Sequence, residues 1–125
     1  MEYGGDSCWF DIKCGKVKYL FYVTHGYGSS STITGKLNRI WKVAETFECD
    51  LLAMGHVHEL ADFHKIKETV RYGQEIKKET MLLITGHYLR YDDMSYARTA
   101  SMTIGKIGSP IIHLNDNKKK IIRIK

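Results

Sequence analysis

A strand, a helix and a second strand follow one another between residues 17 and 54, and this order constrains the fold more than any other feature. Val17–Val23 is rich in β-branched and aromatic residues, which is typical of a strand. Asp50–Met54 contains a short apolar run, which is typical of a strand buried on both faces. Between them lies one apolar stripe at helical spacing: Ile33, Leu37, Ile40, Trp41, Ala44 and Phe47.

The remaining segments are mostly strand-like. Cys8–Cys14 is followed by a turn signal at Gly15, which predicts a hairpin with the strand at residues 17–23. Met81–Ile84 predicts another buried strand, whereas the segment from Phe63 to Tyr72 is mixed and is interrupted at Gly73 and Gln74. Ile111–Leu114 and Ile121–Ile124 flank a turn-forming cluster, which predicts a terminal hairpin.

This order of elements predicts an α/β or α+β fold, mostly β-strands with one main helix. The chain has 125 residues, enough for one domain with one core. We expect three large aromatic residues, Trp9, Phe21 and Trp41, to lie in that core.

The charge balance favours anionic partners. Lys and Arg number 19 against 14 Asp and Glu, a net charge of +5. The one basic block is Lys118–Lys120, with Arg123 and Lys125 close by. Charge alone permits a nucleic-acid groove, but we favour a solvated, basic C-terminal hairpin.

The three cysteines, Cys8, Cys14 and Cys49, form no C-x-x-C pair, which argues against a disulfide framework and a cysteine zinc site. Reduced thiols fit an intracellular protein. No run approaches the ~20 apolar residues that a membrane span needs. The first residues show no basic-then-apolar signal pattern. We therefore expect a cytoplasmic protein that does not bind membranes.

Histidines follow two of the predicted strands at their C-terminal ends. His25 follows the strand at residues 17–23, and His56 and His58 follow the apolar run that ends at Met54. Ligands of open α/β sheets bind outside such strand ends. If the two strands are parallel neighbours, the three imidazoles converge, and imidazole is the commonest metal-ligating side chain. The alternative is an exposed histidine pair in a turn.

The residues after Gly55-His56-Val57-His58 separate the families that use His-x-His. A metallo-β-lactamase-type site needs Asp and His at positions that hold Leu60 and Ala61. A cupin-type site needs a Glu where this chain has Asp62 and Phe63.

The chain resembles the calcineurin-like metallophosphoesterase family, in particular its phage- and prophage-type members. The resemblance rests on Val23-Thr24-His25-Gly26 and Met54-Gly55-His56-Val57-His58, and it extends from about Tyr19 to Leu114. It implies that residues 1–125 form a single partial domain, the C-terminal half of an αββα sandwich. Such a half should expose a sheet edge and apolar patches.

The resemblance also implies a site with two divalent metal ions, drawn from Mn, Fe, Zn or Ni. His25 and His56 would bind one ion and His58 the other. Gly26, Ser29 and His87 would meet the phosphate-ester substrate, although His87 also fits an ordinary polar strand end. No residue of this chain is assigned as catalytic.

The family motifs that supply the bridging carboxylates precede these blocks and are missing. Asp62-Phe63-His64 resembles one of them but follows Gly-His-x-His, and Gly5-Asp6 resembles another but lies too close to His25. The chain therefore looks like an incomplete metal-dependent phosphoesterase that needs an N-terminal half, or forms a homo-oligomer. The alternative is a non-catalytic remnant or a small basic binding module.

Overall fold

The structure, a computed structural model, describes residues 5–26, 33–56, 60–86 and 108–124. Strands dominate this part of the chain, and α1 is its one helix, so the predicted α+β class is confirmed. The elements are, in chain order, β1 (Ser7–Cys14), β2 (Val17–Thr24), α1 (Ile33–Thr46), β3 (Leu51–Met54), β4 (Ala61–Arg71), β5 (Gln74–Ile84), β6 (Ile111–Leu114) and β7 (Ile121–Ile124). Within the described ranges, no helix is long and apolar enough to cross a membrane.

Five strands form one sheet in the order β1-β2-β3-β5-β4. The three central strands, β2, β3 and β5, run parallel to one another, and β1 and β4 pair antiparallel at the two edges. The registers place Thr24 beside Met54 and Met54 beside Ile84. The C-terminal ends of the three parallel strands therefore lie side by side at one edge of the sheet.

The short strand β3 is buried on both faces, as its apolar run predicts. Leu52 and Met54 face α1 and pack with its Ile40 and Ala44. Leu51 and Ala53 point to the opposite face, which the two-stranded sheet β6-β7 covers. The described residues thus form three layers: helix, five-stranded sheet and two-stranded sheet.

The terminal hairpin is held against the sheet by its inward-facing side chains Ile112, Leu114 and Ile121. Its outward face presents three exposed isoleucines: Ile111, Ile122 and Ile124. The hairpin therefore buries apolar side chains on one face only, among the described residues.

Two of the three predicted core aromatics lie elsewhere. Phe21 is buried, as predicted, but Trp9 is 45% exposed and Trp41 is 39% exposed. Trp9 lies on the edge strand β1 and rests on Tyr22, with ring centroids 4.7 Å apart. Trp41 stacks on Phe63 at the rim of the helix–sheet interface. Both rings cover the border of the core because an edge strand and a helix flank bury only one side of a large side chain.

The strands β4 and β5 form a long antiparallel hairpin in the segment that reads as mixed in sequence. Its turn is Tyr72-Gly73, between the paired residues Arg71 and Gln74. Residues 66–79 are all exposed, so this end of the hairpin projects from the sheet. We call residues 66–79 the arm. It extends from the end of the sheet opposite to the C-terminal ends of β2, β3 and β5.

Candidate metal centre

Polar residues follow each of the three parallel strands at the shared edge of the sheet. His25 follows β2, Gly55 and His56 follow β3, and Thr85 and Gly86 follow β5. Backbone hydrogen bonds continue the pairing past the strand ends: the Gly55 N–H donates to the Thr24 carbonyl, and the Thr85 N–H to that of Met54. The first residues after the strands are therefore held by the sheet itself.

The backbone at His25 is fixed by the beginning of β1. The His25 N–H donates a 2.8 Å hydrogen bond to the carbonyl oxygen of Asp6. The Thr24 hydroxyl donates to the same oxygen and accepts the N–H of Gly26 at 3.2 Å. These bonds hold the turn after β2, so the exposed imidazole of His25 projects from a defined backbone.

His56 occupies the left-handed region of backbone conformation, with a φ of 67°. A non-glycine residue there is uncommon and costs conformational energy, and histidine is among the residues that tolerate it best. Gly55 comes before it at the close approach of two strand ends, where a Cβ would lie 3.4 Å from the His25 carbonyl oxygen. The turn brings the imidazole of His56 back toward β2.

The rings of His25 and His56 meet across the two strand ends. The Nε2 of His25 lies 3.0 Å from the Nδ1 of His56, with the ring planes at 71°. With neutral rings in complementary tautomers, the contact is an N–H···N hydrogen bond. Two nitrogens that bind one ion at about 2.0–2.1 Å are themselves about 2.8–3.4 Å apart for octahedral and tetrahedral angles. The observed separation therefore fits a shared ion as well.

Gly26 is required by the packing beneath these rings. Its φ is 85°, and a Cβ built on it would lie 2.5 Å from the Cγ of Met54. Met54 is fully buried at the end of β3. The glycine thus lets the chain turn tightly over the β3 end, which keeps His25 near His56. This gives Gly26 a structural role beside its expected contact with substrate.

The structure brings together two of the three metal-ligating histidines that the sequence predicts. His58, Ser29 and His87 lie outside the described residues, so their predicted roles stay predictions. Within the described ranges, no group of three or more His, Cys, Asp or Glu side chains could hold a metal ion.

Two residues at this edge, Asp6 and Thr85, were not among the predicted site residues. Asp6 lies opposite His25 because the β1–β2 register pairs Ser7 with Thr24. The hairpin turn at Gly15 is the signal that could have placed it there. Thr85 lies beside Gly55 because β5 is parallel to β3. Nothing in the sequence alone indicates that strand order.

Asp62 and His64, which resemble a family motif, have other partners. Asp62 forms a short ion pair with Arg123 of β7. The Nδ1 of His64 lies 2.7 Å from a carboxylate oxygen of Glu79. His64 pairs with Met81 at the beginning of the buried part of β5, far from the edge that carries His25.

Comparisons of the chain with protein families, with curated proteins and with solved structures find no match.

Proposed function

We propose that this chain supplies part of the metal site of a metal-dependent phosphoesterase, with His25 and His56 as two ligands of one divalent ion. The observation that carries the proposal is the 3.0 Å separation of their ring nitrogens at the ends of adjacent parallel strands. The resemblance of both histidine motifs to calcineurin-like metallophosphoesterases adds the reaction class, hydrolysis of a phosphomonoester or phosphodiester.

The donor chemistry fits the metals that the resemblance implies. Neutral imidazole is a borderline ligand that suits Mn, Fe, Zn and Ni in mixed sites. Two ions of such a site clamp a phosphate and activate a water molecule when bound. In the proposed assignment His58 serves the second ion, and Ser29, Gly26 and His87 contact the phosphate ester.

The chain's own residues fix the orientation of the rings. The Asp6 carbonyl and the Thr24 hydroxyl hold the backbone of His25, and the left-handed conformation of His56 directs its ring toward β2. Ligands on rigid strand ends need little reordering on binding, which favours affinity. The carboxylates of a dinuclear site must come from outside the motifs present here, either from an N-terminal half or from another subunit. We place this assembly in the cytoplasm.

One observation favours the alternative of a non-catalytic remnant or basic binding module. The contact between the rings of His25 and His56 has the length of an ordinary hydrogen bond between neutral imidazoles. Two imidazoles bind a divalent ion weakly, and a neutral pair can remain as a simple hydrogen bond.

Nickel titration of the full chain, followed by calorimetry at pH 7.5, tests the proposal. We expect binding that weakens at least about tenfold in His25→Ala and in His56→Ala, a loss of about 1.4 kcal/mol. His113→Ala is the matched control, because His113 is an exposed histidine on β6 outside the candidate site. Nickel affinity that is unchanged in both site variants would overturn the proposal and leave the non-catalytic alternative. Hydrolysis of p-nitrophenyl phosphate by the nickel-loaded chain then measures how much activity the part retains.

A further inference from the structure

The arm separates its charges between two faces. Side chains alternate along each strand, and residues paired across the hairpin share a face. The face on the α1 side carries Lys67, Arg71 and Lys78 and no acidic residue. The opposite face carries all the acidic residues of the arm, Glu68, Glu75 and Glu79, together with Lys77.

The basic face is a site of concentrated positive charge. Lys67 lies directly across the hairpin from Lys78, and such like-charge pairs destabilise a ribbon. One carboxylate of the protein already forms an ion pair with this face: the Nζ of Lys78 lies 2.9 Å from the Oε1 of Glu48. The hydrogen bond and charge of Lys78, with further effects of Lys67 and Arg71, lower the pKa of Glu48. An external anion would find the same attraction at Lys67, beside Lys78, and at Arg71, which lies nearer the tip.

The tip of the arm exposes an aromatic ring. Tyr72 is fully solvent-exposed, and its φ of 52° lies in the left-handed region that Asn, Asp and Gly prefer in two-residue hairpin turns. The turn thus carries a bulky ring where a smaller residue would fit with less strain. An exposed ring beside cations is the combination that stacks on unpaired bases while phosphates contact the charges.

We propose that the α1-side face of the arm binds single-stranded nucleic acid, with phosphates on Lys67, Arg71 and Lys78 and a base stacked on Tyr72. The exposed part of each strand is six residues long, or about 20 Å, which spans several nucleotides. This surface is at the opposite end of the sheet from His25 and His56, so the inference does not depend on the proposed metal site. Two copies of the chain would bring like charges together if these faces met, which disfavours a homodimer here.

Fluorescence anisotropy with a labelled 12-nucleotide oligothymidylate tests the proposal on the full chain. We expect binding that weakens with salt. In Lys67→Gln/Arg71→Gln, the slope of log affinity against log salt should fall by about 1.4, because two phosphate contacts are lost. The matched control is Lys77→Gln/Lys118→Gln, which removes the same charge from the acidic face of the arm and from the terminal hairpin. Equal losses in both double variants would overturn the assignment to this face.

Two further variants test the aromatic contact of Tyr72 and the effect of Glu48, the carboxylate that already pairs with Lys78. Tyr72→Asn keeps a residue that tolerates the turn but removes the ring, and we expect affinity to fall about fivefold or more. Glu48→Gln should strengthen binding, because it frees Lys78. The oligonucleotide should also bind more tightly than its duplex. Unchanged affinity in Tyr72→Asn, or equal affinity for the duplex, would overturn the proposal.

Discussion

The hydroxyl oxygen of Tyr19 lies 2.6 Å from the carbonyl oxygen of Asn115, across 96 residues of chain. Tyr19 is fully buried on β2, and the same oxygen accepts the backbone N–H of Lys120 at 3.1 Å. The Tyr19 hydroxyl therefore forms hydrogen bonds with backbone groups at both ends of the loop between β6 and β7. That loop is otherwise largely exposed, so the Tyr19 hydroxyl adds a buried polar anchor to the apolar packing of Ile112, Leu114 and Ile121.

Tyr19→Phe should lower the free energy of unfolding by about 1–3 kcal/mol, because a partly buried carbonyl and a partly buried N–H lose their partner. Urea unfolding followed by far-ultraviolet circular dichroism measures the change. Tyr72→Phe is the control, since the Tyr72 ring is fully exposed and should tolerate the loss of its hydroxyl without effect. A Tyr19→Phe protein as stable as the wild type would contradict this anchoring role.

Gly26→Ala should destabilise the chain and weaken nickel binding together. The left-handed backbone costs an alanine about 1–2 kcal/mol, and the new Cβ would also clash with Met54. Gly73→Ala is a matched control, because its φ of 74° imposes a similar backbone cost while nothing lies within 4 Å of a new Cβ. If both variants lose equal stability and both keep nickel affinity, the packing of Gly26 on Met54 does not position His25.

The ion pair between Asp62 and Arg123 should couple β4 to β7. Both side chains are mostly buried, so removing one partner leaves an uncompensated charge. We expect Arg123→Met and Asp62→Asn each to cost about 1–3 kcal/mol, and the double variant to cost less than their sum. A double-mutant cycle of urea unfolding measures the coupling. Strictly additive losses would show that the pair contributes no mutual stabilisation.

Cys49 should react slowly with iodoacetamide in the folded protein. Burial, followed by the nearby Asp50 carboxylate, raises the pKa of the Cys49 thiol to about 11. Only the thiolate reacts, so its alkylation rate at pH 8 should be low and should rise as the pH approaches 11. Mass spectrometry of the alkylated protein compares it with the half-buried Cys8 and Cys14. In urea the three thiols should react alike, and rapid labelling of folded Cys49 at pH 8 would contradict its burial.

The sequence predicts the sheet edge that carries His25 and His56 better than it predicts the exposed arm. The helical stripe between β2 and β3 indicates a crossover long enough for parallel strands, and parallel pairing is what brings His25 to His56. Their convergence could therefore be stated conditionally from sequence. The separation of 3.0 Å could not, because it depends on the left-handed conformation of His56, which a short motif does not encode.

The strands of the arm are not predicted by the pattern of hydrophobic residues in the sequence. Hydrophobic periodicity reports burial, and residues 66–79 are exposed on both faces, so these strands carry no alternation to detect. Only the Tyr72-Gly73 turn marks the hairpin, and tyrosine is an unusual residue there. Trp9 and Trp41 were misplaced for a related reason: large aromatic residues indicate burial on average, but edge positions bury only one side of the ring.

The four residues of β3 join the two halves of the sheet, since β2 pairs with one side of it and β5 with the other. Without β3, the remaining strands would separate into two hairpins, β1-β2 and β4-β5, and an isolated hairpin is marginally stable at best. The sheet should therefore lose its structure in one cooperative step. Any partially unfolded form in which the two hairpins still belong to one sheet must keep Leu51–Met54 paired between them. We therefore expect the slowest amide hydrogen exchange in the protein in β3, the shortest of the central strands.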